Sequence, residues 1–91
     1  MLLGDYFKNI NNNYKKFFFS GISFNSNKIL KDNIFFAIKG NNVNGANFIL
    51  HAIKKGAKII ITEHENEGLK NNILYIKKKN IRKLLAEIRL K

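Results

Sequence analysis

Ninety-one residues with 45% hydrophobic content suffice for one small domain and are too apolar for a disordered chain. The absence of cysteine excludes a disulfide framework and a thiolate metal site, and two histidines are too few to suggest a zinc site. A formal charge of +11 raises a nucleic-acid partner as a question that composition alone must answer.

At the start of the chain, Leu2, Leu3, Tyr6, Phe7 and Ile10 have the spacing of a short amphipathic helix. Asn11, Asn12 and Asn13 should end it, because asparagine favours turns. This N-terminus lacks a basic start and breaks at Asp5, so it does not read as a signal peptide. No apolar run approaches the ~20 residues of a membrane helix, and a cytoplasmic location is the expectation. Residues 17–24 alternate loosely through Phe17, Phe19, Ile22 and Phe24, which predicts a strand with room for a bulge at Ser20-Gly21. Residues 25–33 are a polar loop, with Asp32-Asn33 as its turn signal.

Residues 34–57 form the organising stretch. Ile34 to Ile38 is an apolar run too short for a helix and rich in β-branched and aromatic types, hence a buried strand. A loop with Gly40, Asn41, Asn42, Asn44 and Gly45 follows. Phe48, Ile49, Ala52 and Ile53 then recur at helical spacing, and Gly56 stands where a left-handed C′ residue is wanted. Residues 58–62 read as the next buried strand, completing a βαβ unit. Ligands of such units gather at the C-terminal ends of the strands, which here means residues 40–45.

Residues 63–72 are polar and hold three of the six acidic residues. Residues 73–76 predict a fourth strand. Asn80 can cap a last helix with Ile81, Leu84, Leu85 and Ile88 on one stripe, and Glu87 can pair with Lys91 on its wet side. The fold class is therefore α/β: a single small layered domain with a short, mostly parallel or mixed sheet around a central βαβ unit.

Ser26, residues 33–40 (N-I-F-F-A-I-K-G), Asn44-Gly45, Phe48-Ile49, Ala52-Ile53 and Gly56-Ala57 together resemble the N-terminal domain of the Mur ligases. The family's pattern there runs D-S-R, P-G-D-L-F-x-A-x-x-G, D-G, F-I, A-I and G-A. Asn80, Arg82 and Leu85-Ala86 are similar to a further D-x-R-x-A-L-A stretch, so the resemblance spans residues 21–88. It is most similar to the MurE type, which extends UDP-N-acetylmuramoyl-L-alanyl-D-glutamate by a diamino acid. The MurF type, which adds the terminal dipeptide, shares much of the pattern.

The resemblance implies that the whole chain, 1–91, is a substrate-binding domain for the UDP end of that precursor. Phe24 and Ser26 fall where the family contacts the nucleotide, and Asn41, Asn42 and Val43 fall on the loop approaching the substrate. It further implies that Ser26→Ala weakens nucleotide binding without a comparable loss of folding stability. No catalytic residue and no metal ligand is expected in this chain. ATP and Mg²⁺ belong to the family's other domains, because no G-x-x-x-x-G-K-S/T occurs here. The chain alone should be inactive, and a monomer is expected.

Four departures from the family pattern stand out. Asn25 replaces Asp, Asn27 replaces Arg, Asn44 replaces Asp, and Lys31-Asp32-Asn33 replaces Pro-Gly-Asp. Asparagine keeps the capping and turn geometry of aspartate. Lys28 offers a point charge near the missing arginine but not its planar fork.

The rival class is a small basic nucleic-acid-binding module, favoured by the charge and by Lys77-Lys78-Lys79. Of the seventeen basic residues, however, only Arg82 and Arg89 are arginines. Abundant Lys, Asn, Ile and Phe beside absent Pro and Trp is the mark of A- and T-rich codons, which raise charge without selection for polyanions. His51, on a polar arc with Asn47, Lys54 and Lys55, reads as solvated, and His64 has no recognisable partner. Phe17, Phe18, Phe19, Phe35, Phe36 and Phe48 read as core and its borders rather than a base-stacking platform.

Overall fold

Runs of branched and aromatic residues at 34–37, 59–62 and 73–76 form the middle of the sheet. The computed structural model describes residues 1–7, 10–37, 45–63 and 67–78. Within them, two α-helices, α1 (Leu3–Tyr6) and α2 (Gly45–Lys55), accompany five strands. These are β1 (Gly21–Ser23), β2 (Asn33–Ala37), β3 (Ile59–Thr62), β4 (Gly68–Lys70) and β5 (Ile73–Lys77). The spatial order is β1-β2-β3-β5-β4, with the first four parallel and β4 antiparallel at the edge. The expected α/β class with a mixed, mostly parallel sheet is what the chain adopts.

Continuous apolar runs suit central parallel strands because both faces of such a sheet are covered. On one face Ile34, Phe36, Ile59, Ile61, Leu74 and Ile76 pack beneath Leu3, Phe7, Ile10 and Phe19. On the other, Phe35, Ile60 and Ile73 pack against Ile49 and Ala52 of α2. The register Ile34↔Ile59 and Ile59↔Leu74 aligns the layers across the strands. Each such side chain contributes about 1.5–3 kcal/mol when fully buried.

The N-terminal cover explains where the expected strand over 17–24 is broken. Leu3 donates its N–H to the Phe17 carbonyl (2.9 Å), and Phe19 donates to that of Met1 (2.7 Å). Residues 17–19 thus run against the start of the chain, while Ser20 donates to the Asp32 carbonyl (3.0 Å) and only Gly21–Ser23 enter the sheet. The chain changes partners where a bulge was expected. The expected helix over 2–10 is a single turn, α1, within the described residues. Phe19, Phe35 and Phe36 are core, whereas Phe18 and Phe48 are exposed and lie only on its border.

β4 falls inside the polar segment that alternation did not mark as a strand. Its hairpin to β5 has a two-residue turn, Asn71-Asn72, with φ of 51° and 67°. Two positive φ values identify a type I′ turn, for which Asn-Gly is preferred. Asn72→Gly should therefore stabilise the chain by about 0.5 kcal/mol, a rise of a few degrees in a thermal melt; a fall would exclude this turn. Lys70 Nζ lies 5.4 Å from the Tyr75 ring centroid across the same hairpin. The predicted last helix, with Asn80 and Glu87, and His64 all lie outside the described residues.

Candidate functional site

Parallel pairing of β1 with β2, in the register Ser23↔Phe35, sends the chain out of both strands at the same end of the sheet. The segment after β1 and the connection from β2 to α2 therefore leave side by side. Asn41, Asn42 and Val43 belong to that connection and lie outside the described residues. Phe24 and Ser26 belong to the first segment, within the described residues.

The first segment is a succession of local hydrogen bonds. Ser23 Oγ accepts from the Asn25 N–H at 3.1 Å and donates to the Asn25 carbonyl at 2.9 Å. Asn25 Oδ1 then accepts from the Asn27 N–H at 2.9 Å, capping a 3₁₀ turn over Ser26–Lys28. A carboxylate would accept the same bond, so asparagine here preserves the turn. Phe24 is 56% exposed, and its ring meets that of buried Phe36 at 5.6 Å between centroids with the planes tilted by 40°. A largely exposed ring held by a neighbouring ring is suited to stacking with a planar group.

Ser26 is different. It is only 3% exposed, and its Oγ lies 2.9 Å from Nδ1 of His51. His51 sits midway along α2, whose apolar stripe of Ile49, Ala52 and Ile53 docks it on the sheet. The bond ties the 3₁₀ turn after β1 to the helix after β2. His51 is thus not the freely solvated residue its polar arc suggested. Removing the Ser26 hydroxyl would also cost roughly 0.5–1.5 kcal/mol of folding stability. That revises the expectation that Ser26→Ala acts on binding alone. Helical spacing could place His51 on the flank of α2, but only the tertiary packing of the turn against the helix reveals its partner.

Asp32 has φ 65°, and it occupies the place of the glycine in the family's P-G-D. Aspartate is among the residues that tolerate this region, so the substitution keeps the backbone path. It lies at the opposite, N-terminal end of β2. A shallow cavity of about 280 Å³ opens there, lined by Phe17, Phe18, Asp32, Lys58 and Leu69 among others. Neither Phe24 nor Ser26 lines it.

Among the described residues no three His, Cys, Asp or Glu side chains converge on a metal position. The sequence contains no G-x-x-x-x-G-K-S/T either. No described helix is long and apolar enough to cross a membrane.

Comparison with known proteins identifies the family and the fold. The family described as "Mur ligase family, catalytic domain" matches residues 19–90. A UDP-N-acetylmuramoyl-L-alanyl-D-glutamate–2,6-diaminopimelate ligase of Rickettsia prowazekii is 38% identical over 79 residues, 87% of this chain and 16% of the relative. The ligase of the same name from Clostridium tetani is 48% identical over 67 residues, 71% of this chain and 14% of the relative. This chain therefore spans 16% or less of the length of the relatives quoted, 16% and 14% respectively. Among solved structures, MurF from Acinetobacter baumannii superposes with a TM-score of 0.61 over 76% of this chain and 14% of that one. At 20% identity that likeness concerns the fold.

Proposed function

The chain belongs to the Mur ligase family, and from that premise we propose that it is the N-terminal domain that holds the UDP end of UDP-N-acetylmuramoyl-L-alanyl-D-glutamate. The observation carrying this reading is the similarity to diaminopimelate-adding ligases along 87% of the chain. Those relatives, of the MurE type, are 38% and 48% identical, against 20% for the MurF structure, which favours the MurE type. The parent enzyme would then join 2,6-diaminopimelate to the precursor. ATP and Mg²⁺ would be held by other domains of that parent enzyme. A cytoplasmic, monomeric domain spanning 1–91 belongs to the same proposal.

The site combines an aromatic platform, a hydroxyl and backbone donors. Phe24 would present its exposed ring to the base. Ser26 would supply a hydrogen bond from Oγ, whose capacity His51 only partly uses. The backbone N–H groups of Asn41, Asn42 and Val43 would meet the diphosphate, which suits donors near the start of a helix. Lys28 would add charge without bidentate geometry.

An NMR titration with the UDP-muramoyl dipeptide tests this. Shifts should concentrate at residues 24–26 and 40–45, and Ser26→Ala should weaken binding by roughly 0.5–1.5 kcal/mol. Shifts confined to residues 63–72 or to the C-terminal segment would place the site elsewhere. Oligonucleotide binding should be weak and fall steeply with salt, as any lysine-rich surface gives; sequence-selective binding at physiological salt would favour a nucleic-acid role instead.

A further inference from the structure

We propose that His51 is a positioning residue, setting which way the Ser26 hydroxyl proton points and so which ligand atoms Ser26 can bind. The proposal rests on the nucleotide reading above and deepens it. Ser26 is nearly sealed from solvent, and its Oγ has His51 Nδ1 at 2.9 Å. A hydroxyl carries one proton and two lone pairs, and a neutral imidazole nitrogen either donates or accepts. When Nδ1 is bare, it accepts a hydrogen bond from the Ser26 hydroxyl, and Ser26 can only accept from a ligand. When Nδ1 carries a proton, it donates to Oγ, and the Ser26 proton is free to be given away.

The proposed ligand decides between these states. Diphosphate oxygens and the two carbonyls of a uracil ring are acceptors, and contact with any of these, rather than with the ring N3–H, calls for a donating Ser26. The productive state therefore has Nδ1 protonated, donating to Oγ, with the hydroxyl proton directed at the ligand. His51 reaches Ser26 from α2, and Ser26 lies on the turn after β1. The bond thereby makes the donor direction at one strand end depend on a helix that follows the neighbouring strand. His51 need not touch the ligand to do this.

The test uses the 91-residue chain and UDP as the probe, titrated by NMR against wild type, His51→Phe, His51→Asn, Ser26→Ala and the Ser26→Ala/His51→Phe pair. His51→Phe keeps the ring but should bind UDP about three- to tenfold more weakly, the effect of one hydrogen bond. His51→Asn places an amide N–H₂ near the Nδ1 position and should restore most of that loss. In the Ser26→Ala background His51→Phe should add nothing, because the residue acts through the hydroxyl. In the wild-type complex the imidazole ¹⁵N shift of Nδ1 should be that of a protonated nitrogen. This last measurement needs no variant and stands even if His51→Phe does not fold. A bare Nδ1 in the complex, wild-type affinity in His51→Phe, or an undiminished His51→Phe loss on top of Ser26→Ala would each overturn the positioning role. Absence of UDP binding by the wild-type chain would instead overturn the nucleotide reading, and this role with it.

Discussion

Phe36→Ala should lower the unfolding free energy by about 3–5 kcal/mol, the range for a buried aromatic whose removal leaves a cavity. Phe36 has no exposed surface and sits midway along β2. Its ring stacks with Phe7 at 6.3 Å and meets Phe24 at 5.6 Å. It therefore joins the N-terminal cover, the sheet and the aromatic platform. A domain of this size has on the order of 5–10 kcal/mol in total, so the variant should be partly unfolded at 37 °C. Urea denaturation measures the shift, with the m-value unchanged if the unfolded state is unaffected. Phe18→Ala is the control, since Phe18 is 58% exposed and should change stability by about 0.5 kcal/mol or less. Equal losses for the two would mean that the core has been placed on the wrong phenylalanine.

These two phenylalanines also show what the sequence can and cannot convey. Phe35, Phe36, Ile60 and Ile61 lie in unbroken apolar runs, and a run buried on both faces is itself the signature of a central parallel strand. The βαβ unit was legible for that reason, and Gly56 marked its helix end. Phe17, Phe18 and Phe19 formed an equally apolar run, yet their backbone pairs with residues 1–3 rather than with β2. Local alternation cannot name the partner strand. β4 escaped for a related reason: it has three residues, two of them exposed, and its turn uses Asn-Asn rather than Asn-Gly. At the candidate site, resemblance alone points to Phe24 and Ser26, and the strand order shows only the end of the sheet they leave from. The bond from Ser26 to His51 joins residues 25 apart and had no short-range signal.

Gly56→Ala should cost roughly 2–4 kcal/mol, combining backbone strain with a steric clash. Gly56 ends α2 in a Schellman arrangement. Its N–H donates to the Ile53 carbonyl at 3.0 Å, and the Ala57 N–H reaches back to that of Ala52 at 3.0 Å. The geometry requires φ of 122°, where a side chain is strained. A Cβ would also stand 2.9 Å from Lys31 Cα and 3.2 Å from Lys31 N, which are backbone atoms and cannot rotate aside. The close approach is there because the Asp32 N–H donates to the Gly56 carbonyl at 2.8 Å, docking the helix end on the turn before β2. Gly68 isolates the two contributions: its φ is 143°, but nothing lies within 4 Å of the point a methyl group would occupy. Gly68→Ala should therefore show the strain alone, about 1–3 kcal/mol, and the excess for Gly56→Ala is the steric part. Thermal melts should register a fall of roughly 10–25 °C for Gly56→Ala. Lys31 and Asp32 lie at the N-terminal end of β2, away from Phe24 and Ser26, so UDP affinity of the folded fraction should change by less than about twofold. A stable Gly56→Ala chain would mean that α2 does not end against this turn, and the path by which it carries His51 to Ser26 would have to be redrawn.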